Sequence, residues 1–180
     1  MKNVHDKLCQ TGFVQSIEGT NCKICDTRKT TPGLRHLDKY AVACGGGTLH
    51  RIGLNDAALY KDNHISHLSD IETELANAIQ KVSTQELKFV EVEVDSIDQL
   101  KKVLQLEIDM VLLDNMTIEQ LQTCVSLRDQ VNKSIQLEAS GGVTLESVRA
   151  IAETGVDRIA VGGITHQATW LDFGLDVHRG

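Results

Sequence analysis

Aromatic residues are scarce in this chain: phenylalanine, tyrosine and tryptophan together make up 3% of its 180 residues. Proteins that hold single-stranded nucleic acid by stacking bases need such rings, so composition argues against that class. Excess positive charge is lacking too. A formal net charge of −7 does not fit a general nucleic-acid surface, whose affinity comes from neutralising phosphates. No apolar run approaches the ~20 residues of a membrane-spanning helix, and no secretory signal is visible. The expectation is a cytoplasmic protein with neither a nucleic-acid nor a membrane partner. The five cysteines, an odd number without a secretory signal, read as free thiols in a reducing compartment. Cys22 and Cys25 have a C-x-x-C spacing, but a tetrahedral zinc site needs four ligands and no second Cys or His pair sits at matching spacing. Cys25 also falls in an apolar run, where cysteine packs as a small hydrophobe.

What remains is an ordinary globular composition, 41% apolar and 24% charged, read as a single domain over 1–180 with a sizeable core. Met1 to Thr20 carries little pattern beyond a turn at Glu18-Gly19. Beyond it, strands and helices alternate. Lys23-Ile24-Cys25, Ala57–Lys61, Lys88–Val94, Met110–Leu113, Ser134–Ala139 and Arg158–Val161 read as strands. Helical spacing links Leu34, Leu37, Tyr40 and Ala41; Leu68, Ile71, Leu75, Ile79 and Val82; and Ile97, Leu100, Val103 and Leu104. It recurs in Ile118, Leu121 and Val125, and in Leu145, Val148, Ile151 and Ala152. Capping-box patterns at Ser69-x-x-Glu72, Ser96-x-x-Gln99 and Thr117-x-x-Gln120 mark three helix starts. Such a βα repeat with nearly continuous apolar strands is a parallel sheet covered on both faces. Periodicity alone leaves a barrel and an open doubly wound sheet equally allowed.

The stretch Asp26-Thr27-Arg28-Lys29-Thr30-Thr31-Pro32-Gly33 sets two adjacent cations in a turn closed by the only proline. With small hydroxyl residues and free backbone amides it suits a multiply anionic small molecule. Arg35, His50, Arg51 and Lys61 add to the cations of the first third. A surface Arg-Lys pair is commonly just solvated charge, so this stretch gains weight from its neighbours. In a parallel α/β fold, residues at the C-terminal ends of strands face the ligand. Asp26 to Lys29, Lys61, Glu93, Asp114, Ser140 and Gly162 all fall there. A carboxylate within Val90–Val94 faces the interior and needs a partner, for which Lys61 is one choice. Asp95 reads as a helix cap and His64 as structural. Ser140-Gly141-Gly142 and Gly162-Gly163 each link a strand to a helix start, where backbone amides can approach a phosphate. Either pair alone would read as a tight turn.

Taken together, DTRKTTPGLR, KYAV followed by CGGG and HR, and KDNHI resemble the quinolinate phosphoribosyltransferases, also called nicotinate-nucleotide pyrophosphorylases. The resemblance continues through Glu91–Ser96, Leu112–Met116, Leu137–Gly142 and Ala160–Gly163. It implies an incomplete, open α/β barrel of six to seven parallel strands. It also implies a reaction: the ribosyl phosphate of phosphoribosyl pyrophosphate passes to the ring nitrogen of quinolinate. Pyrophosphate and carbon dioxide leave, and nicotinate mononucleotide forms, a step of NAD biosynthesis.

Carried over by position, Arg28, His50, Arg51 and Lys61 resemble the quinolinate site, and Lys29 the residue that meets the phosphoribosyl group and its leaving pyrophosphate. Glu93 and Asp114 resemble the pair that holds the ribose hydroxyls and Mg²⁺. Ser140, Gly141, Gly162 and His166 resemble the 5′-phosphate loops. Family members carry a further N-terminal domain that covers the barrel mouth of a partner subunit and supplies an arginine. A homodimer or larger homo-oligomer is therefore implied, and that domain has no counterpart here. A chain that binds these ligands without turnover is the alternative. A barrel lyase or isomerase sharing only the glycine loops would not call for the TRK, HR and KDNHI stretches.

Overall fold

The computed structural model describes residues 12–65, 70–82 and 86–166. Six strands are described: β1 (Lys23–Cys25), β2 (Ala58–Tyr60), β3 (Val90–Val94), β4 (Met110–Asp114), β5 (Gln136–Ser140) and β6 (Arg158–Ala160). They form one parallel sheet in the order β1-β6-β5-β4-β3-β2. This is the open α/β barrel expected, with six strands; β1 and β2 are its two edges. Across that opening Thr48 makes an isolated bridge to Cys25, so the segment before His50 lies along the β1 edge.

Helices are α1 (Phe13–Ser16), α2 (Arg35–Cys44), α3 (Asp62–Ile65), α4 (Ile71–Val82), α5 (Ile97–Val103), α6 (Ile118–Val131), α7 (Leu145–Glu153) and α8 (Gly163–His166). Thr117 caps α6 with the full reciprocal box to Gln120, as its sequence pattern predicts. Ser96 does not cap α5 by its side chain; instead Gln99 turns back to accept from the Asp95 amide. Ser69 and Leu68 lie outside the described residues. Asp70 accepts from the Glu72 and Thr73 amides at the start of α4, and Glu74 accepts from the Asp70 amide.

Alternation along the strands divides the sheet into two chemistries. Val90, Val92, Val94, Val111, Leu113, Leu137, Ala139 and Ile159 join Leu75, Leu100, Leu121 and Val148 of the helices in one core. The intervening residues carry charge: Glu91 and Glu93 on β3, Asp114 on β4, Glu138 on β5 and Arg158 on β6. Register sets Glu93 beside Leu112, Leu112 beside Glu138 and Asp114 beside Ser140. The sheet's inner face is therefore polar where its outer face is a hydrocarbon wall.

Helix α2 forms as its spacing predicts but does not bury its whole apolar pattern: Leu37 is 60% and Tyr40 57% exposed, Ala41 packs against the core, and Lys39 is buried beside Val42. The reason is an ion pair. Lys39 Nζ reaches Asp26 at 2.8 Å and also donates to the carbonyls of His50 and Arg51, partners that outweigh burying the leucine face. Leu145 of α7, also predicted to face the core, is 41% exposed.

Candidate active site

A cavity of about 560 Å³ opens at the C-terminal ends of the strands. Its walls include Arg28, Lys29, His50, Arg51, Lys61, Glu93, Asp114, Ser140, Gly141, Gly162 and His166. These candidates from the sequence thus line one space: Arg28 and Lys29 follow β1, His50 and Arg51 lie between α2 and β2, Lys61 follows β2, Glu93, Asp114 and Ser140 stand on β3, β4 and β5, Gly141 follows β5, and Gly162 and His166 follow β6. Asp26, also read at a strand end, does not join them. It is fully buried, accepting from Lys39 and from the His50 amide, and acts as a strut behind the cationic loop. Arg35 is tied to Thr30 and the Ile52 carbonyl, and His64 accepts from the Lys61 amide to close the turn after β2.

One wall is cationic. Arg28 follows β1 and carries a buried Nε with no hydrogen-bond partner among the described residues. Arg51 is 7% exposed and spends one bond on the Ala57 carbonyl. Burial and then the neighbouring Arg28 charge lower the Arg51 pKa from its ordinary value. Two like-charged guanidinium groups held this close, one with an unmatched buried donor, favour a ligand with more than one negative group.

The opposite wall holds the carboxylates. Glu93 Oε2 pairs with Lys61 Nζ at 2.8 Å, which answers the need for a partner that the sequence raised and joins the two walls. Asp114 Oδ2 accepts from Asn115 Nδ2 at 2.7 Å. Asn115 stands at φ 53, left-handed and unusual for a residue with a side chain. Gly141, at φ +97, makes room for it: a Cβ there would lie 2.1 Å from Asn115 Oδ1. Asn115 therefore links the Asp114 carboxylate to the Ser140-Gly141 loop. Beside Gly162 lie His166 and Lys29, 3.2 and 3.4 Å from where a Cβ would stand. Thr165 Oγ1 donates to the Lys29 carbonyl and fixes that loop against α8.

Beneath the cavity lies a charged floor that the sequence did not reveal. Glu91 and Glu138 are fully buried, and His50 Nε2 sits 3.1 and 3.2 Å from their carboxylates. Arg158 Nε pairs with Glu138 at 2.9 Å and donates to Cys25 Sγ. Phe89 meets the His50 ring edge-on and lies under Arg158. Burial lowers the basicity of His50, while Glu138 and Glu91 raise it, with a balance at about 9. Cys22 and Cys25 are free and buried, and burial pushes both thiols up to about 12, which suits packing and not reactivity. The signal for Glu91 was available: if Glu93 faces inward, so does the residue two before it. Nothing in the sequence, however, brings His50 to it.

Comparison with known proteins agrees with this geometry. The quinolinate phosphoribosyl transferase C-terminal domain matches residues 9–176. A nicotinate-nucleotide pyrophosphorylase (carboxylating) of Mycobacterium leprae is 47% identical over 92% of this chain and 57% of its own length. A probable enzyme of the same name from Bacillus subtilis is 40% identical over 91% of this chain and 55% of its own. The solved nicotinate-nucleotide pyrophosphorylase of Francisella tularensis superposes with a TM-score of 0.78 at 42% identity, covering 87% of this chain and 54% of that one. NadC of Streptococcus pyogenes gives 0.83 at 32% identity, over 97% and 59%. The chain thus spans little more than half the length of the relatives it matches. With the family's domain matched over nearly every residue and its fold reproduced, this chain belongs to the quinolinate phosphoribosyl transferase family, as its C-terminal domain.

Proposed function

We propose that this chain carries the catalytic half of a quinolinate phosphoribosyltransferase. Its reaction joins the ribosyl phosphate of phosphoribosyl pyrophosphate to the ring nitrogen of quinolinate, releases pyrophosphate and carbon dioxide, and leaves nicotinate mononucleotide for NAD synthesis. The observation that carries this reading is the cationic wall: Arg28, whose buried Nε has no partner among the described residues, and Arg51, its pKa lowered by burial and then by that neighbour, in one cavity with two carboxylates. A planar dicarboxylate answers the first wall and a polyhydroxylated sugar phosphate the second.

In this reading Arg28, Arg51 and Lys61 take the quinolinate carboxylates, guanidinium groups being suited to paired contacts. Ser140, Gly141, Gly162 and His166 hold the 5′-phosphate, and Lys29, next to Gly162 and His166, meets the pyrophosphate side. Glu93 and Asp114 hold the ribose hydroxyls. Their charge stabilises the positive character that develops at the anomeric carbon as pyrophosphate departs. No side-chain nucleophile is needed. Decarboxylation follows ribosylation because the pyridinium ring then accepts the electron pair of the breaking C–C bond.

Glu93 and Asp114 also suit Mg²⁺: each is a hard oxygen donor with one carboxylate oxygen bonded within the protein and the other without a partner among the described residues. Mg²⁺ held there together with substrate phosphate oxygens would neutralise charge on the leaving pyrophosphate. A homodimer in the cytoplasm completes the proposal. Support for the homodimer is the exposed apolar face of α2; among the described residues no helix is long and apolar enough to cross a membrane. The test is turnover: the purified chain is mixed with quinolinate, phosphoribosyl pyrophosphate and Mg²⁺, and nicotinate mononucleotide is followed, with Lys61→Ala as control. Product that the control loses supports the reading; failure to bind either substrate would overturn it.

A further inference from the structure

His50 lines the cavity, yet all its polar atoms are spent inside the protein. Its amide donates to Asp26 and its carbonyl accepts from Lys39. Ring Nδ1 accepts from the Arg51 amide at 2.7 Å, and Nε2 faces Glu91 and Glu138. An atom that accepts a hydrogen bond carries no proton, so the ring proton sits on Nε2, between two carboxylates. The raised pKa of about 9 by itself favours a doubly protonated ring at neutral pH. The geometry opposes it: a second proton would collide with the hydrogen of the Arg51 amide, whose nitrogen lies 2.7 Å from Nδ1, and this keeps Nδ1 bare.

The same fact bears on a second use of this cluster. The ligand atoms of His50, Glu91 and Glu138 lie within 4.8 Å of one another, close enough for a metal ion. A ring with its proton on Nε2 offers no lone pair in that direction, and Arg158 already neutralises Glu138. The arrangement is a positioning device.

Resting on the reading above, we propose that Glu91 and Glu138 fix His50 in its Nε2–H form so that its Nδ1 holds the Arg51 amide, and that His50 serves the dicarboxylate through Arg51 without touching it. The consequence is a division of labour: the buried pair of acids orients the turn, and the Arg51 guanidinium does the binding.

The ring form is read directly from the ¹⁵N shifts of His50 in the full chain at neutral pH, with no ligand present. A protonated Nε2 and bare Nδ1 are expected; a proton on Nδ1, alone or with Nε2, overturns the proposal. Glu91→Met, which removes one acceptor, should move those shifts toward a tautomer mixture, and unchanged shifts would count against the role of the acids. Isosteres separate the two ring nitrogens. His50→Gln keeps a donor toward the carboxylates but loses the acceptor for Arg51, and should weaken quinolinate binding by about tenfold. His50→Asn restores an acceptor at the Nδ1 position and should recover most of that loss. The reverse order would show that Nε2 meets the substrate itself. If the unmodified chain binds no quinolinate, the functional reading falls alone, and the ring shifts still decide the positioning claim.

Discussion

The two faces of the same five-residue strands contrast sharply. Along β3 the outward residues are Val90, Val92 and Val94, and the inward ones are Glu91 and Glu93. Along β4 and β5, Val111, Leu113, Leu137 and Ala139 face the helices, while Leu112, Asp114, Glu138 and Ser140 face the cavity. Stability and chemistry thus reside on alternate residues of one backbone. Neighbours in sequence share almost nothing in function. The inner face is itself divided by depth: Glu91 and Glu138 are closed off from solvent, both within ion-pair distance of His50 and Glu138 also of Arg158, whereas Glu93, Asp114 and the cations above them line the open cavity.

The largest test of this division is Leu113→Ala. Leu113 is fully buried on the outer face, so its loss should cost about 2–5 kcal/mol by urea unfolding. Turnover per folded molecule should stay within about twofold, because the removed atoms face away from the cavity. A collapse of activity with stability intact would break the comparison. Glu93→Gln is the mirror experiment: turnover should fall on the order of 10²-fold while the unfolding midpoint stays close to that of the parent. A large stability loss there would move Glu93 into the structural layer.

Asp56 gives a smaller effect with a pH signature. Burial raises its pKa, but hydrogen bonds from the Ile52 and Gly53 amides and the Lys88 charge outweigh this and bring it down to about 2. A depressed acid adds stability above its ordinary pKa and loses it as pH falls through the folded value. Asp56→Asn should therefore cost about 1–2 kcal/mol at pH 7, with the difference shrinking between roughly pH 4 and pH 2. A gap that persists at pH 2 would assign the effect to something other than the carboxylate charge. The smallest effect is expected at Leu37, 60% exposed on α2. In dilute protein Leu37→Ser should change stability by no more than about 0.5 kcal/mol; a loss that grows with protein concentration is expected where the proposed homodimer forms on this face, and its absence would remove the support that α2 gives to that homodimer.

Much of this was legible in the sequence, and the omissions have physical causes. Strand and helix order followed from periodicity, and a parallel fold brings Lys61, Glu93, Asp114, Ser140 and Gly162 together at its strand ends, whereas His50, Arg51 and His166 were named through the family resemblance. Thr117 capped its helix because both partners of the box lie within one turn. Glu91 and Glu138 escaped notice because their partner, His50, is supplied by a loop far away in sequence. Periodicity in helix α2 could not place Lys39 for a related reason. Its apolar stripe is real, but Lys39 has Asp26 and two carbonyls to reach, and that partnership forms only when the chain closes on itself.

The opening between β1 and β2 has a mechanical consequence. Arg28 follows one edge, Lys61 follows the other, and Arg51 lies on the segment between them, where Lys39 ties Asp26 to the carbonyls of His50 and Arg51. The cationic wall is mounted on both jaws of a seam held by that side-chain clasp and, on the β1 side, by the short backbone bridge to Thr48. Any movement that parted the jaws would change the spacing of those cations, because they are mounted on the two edges that the described strands leave open.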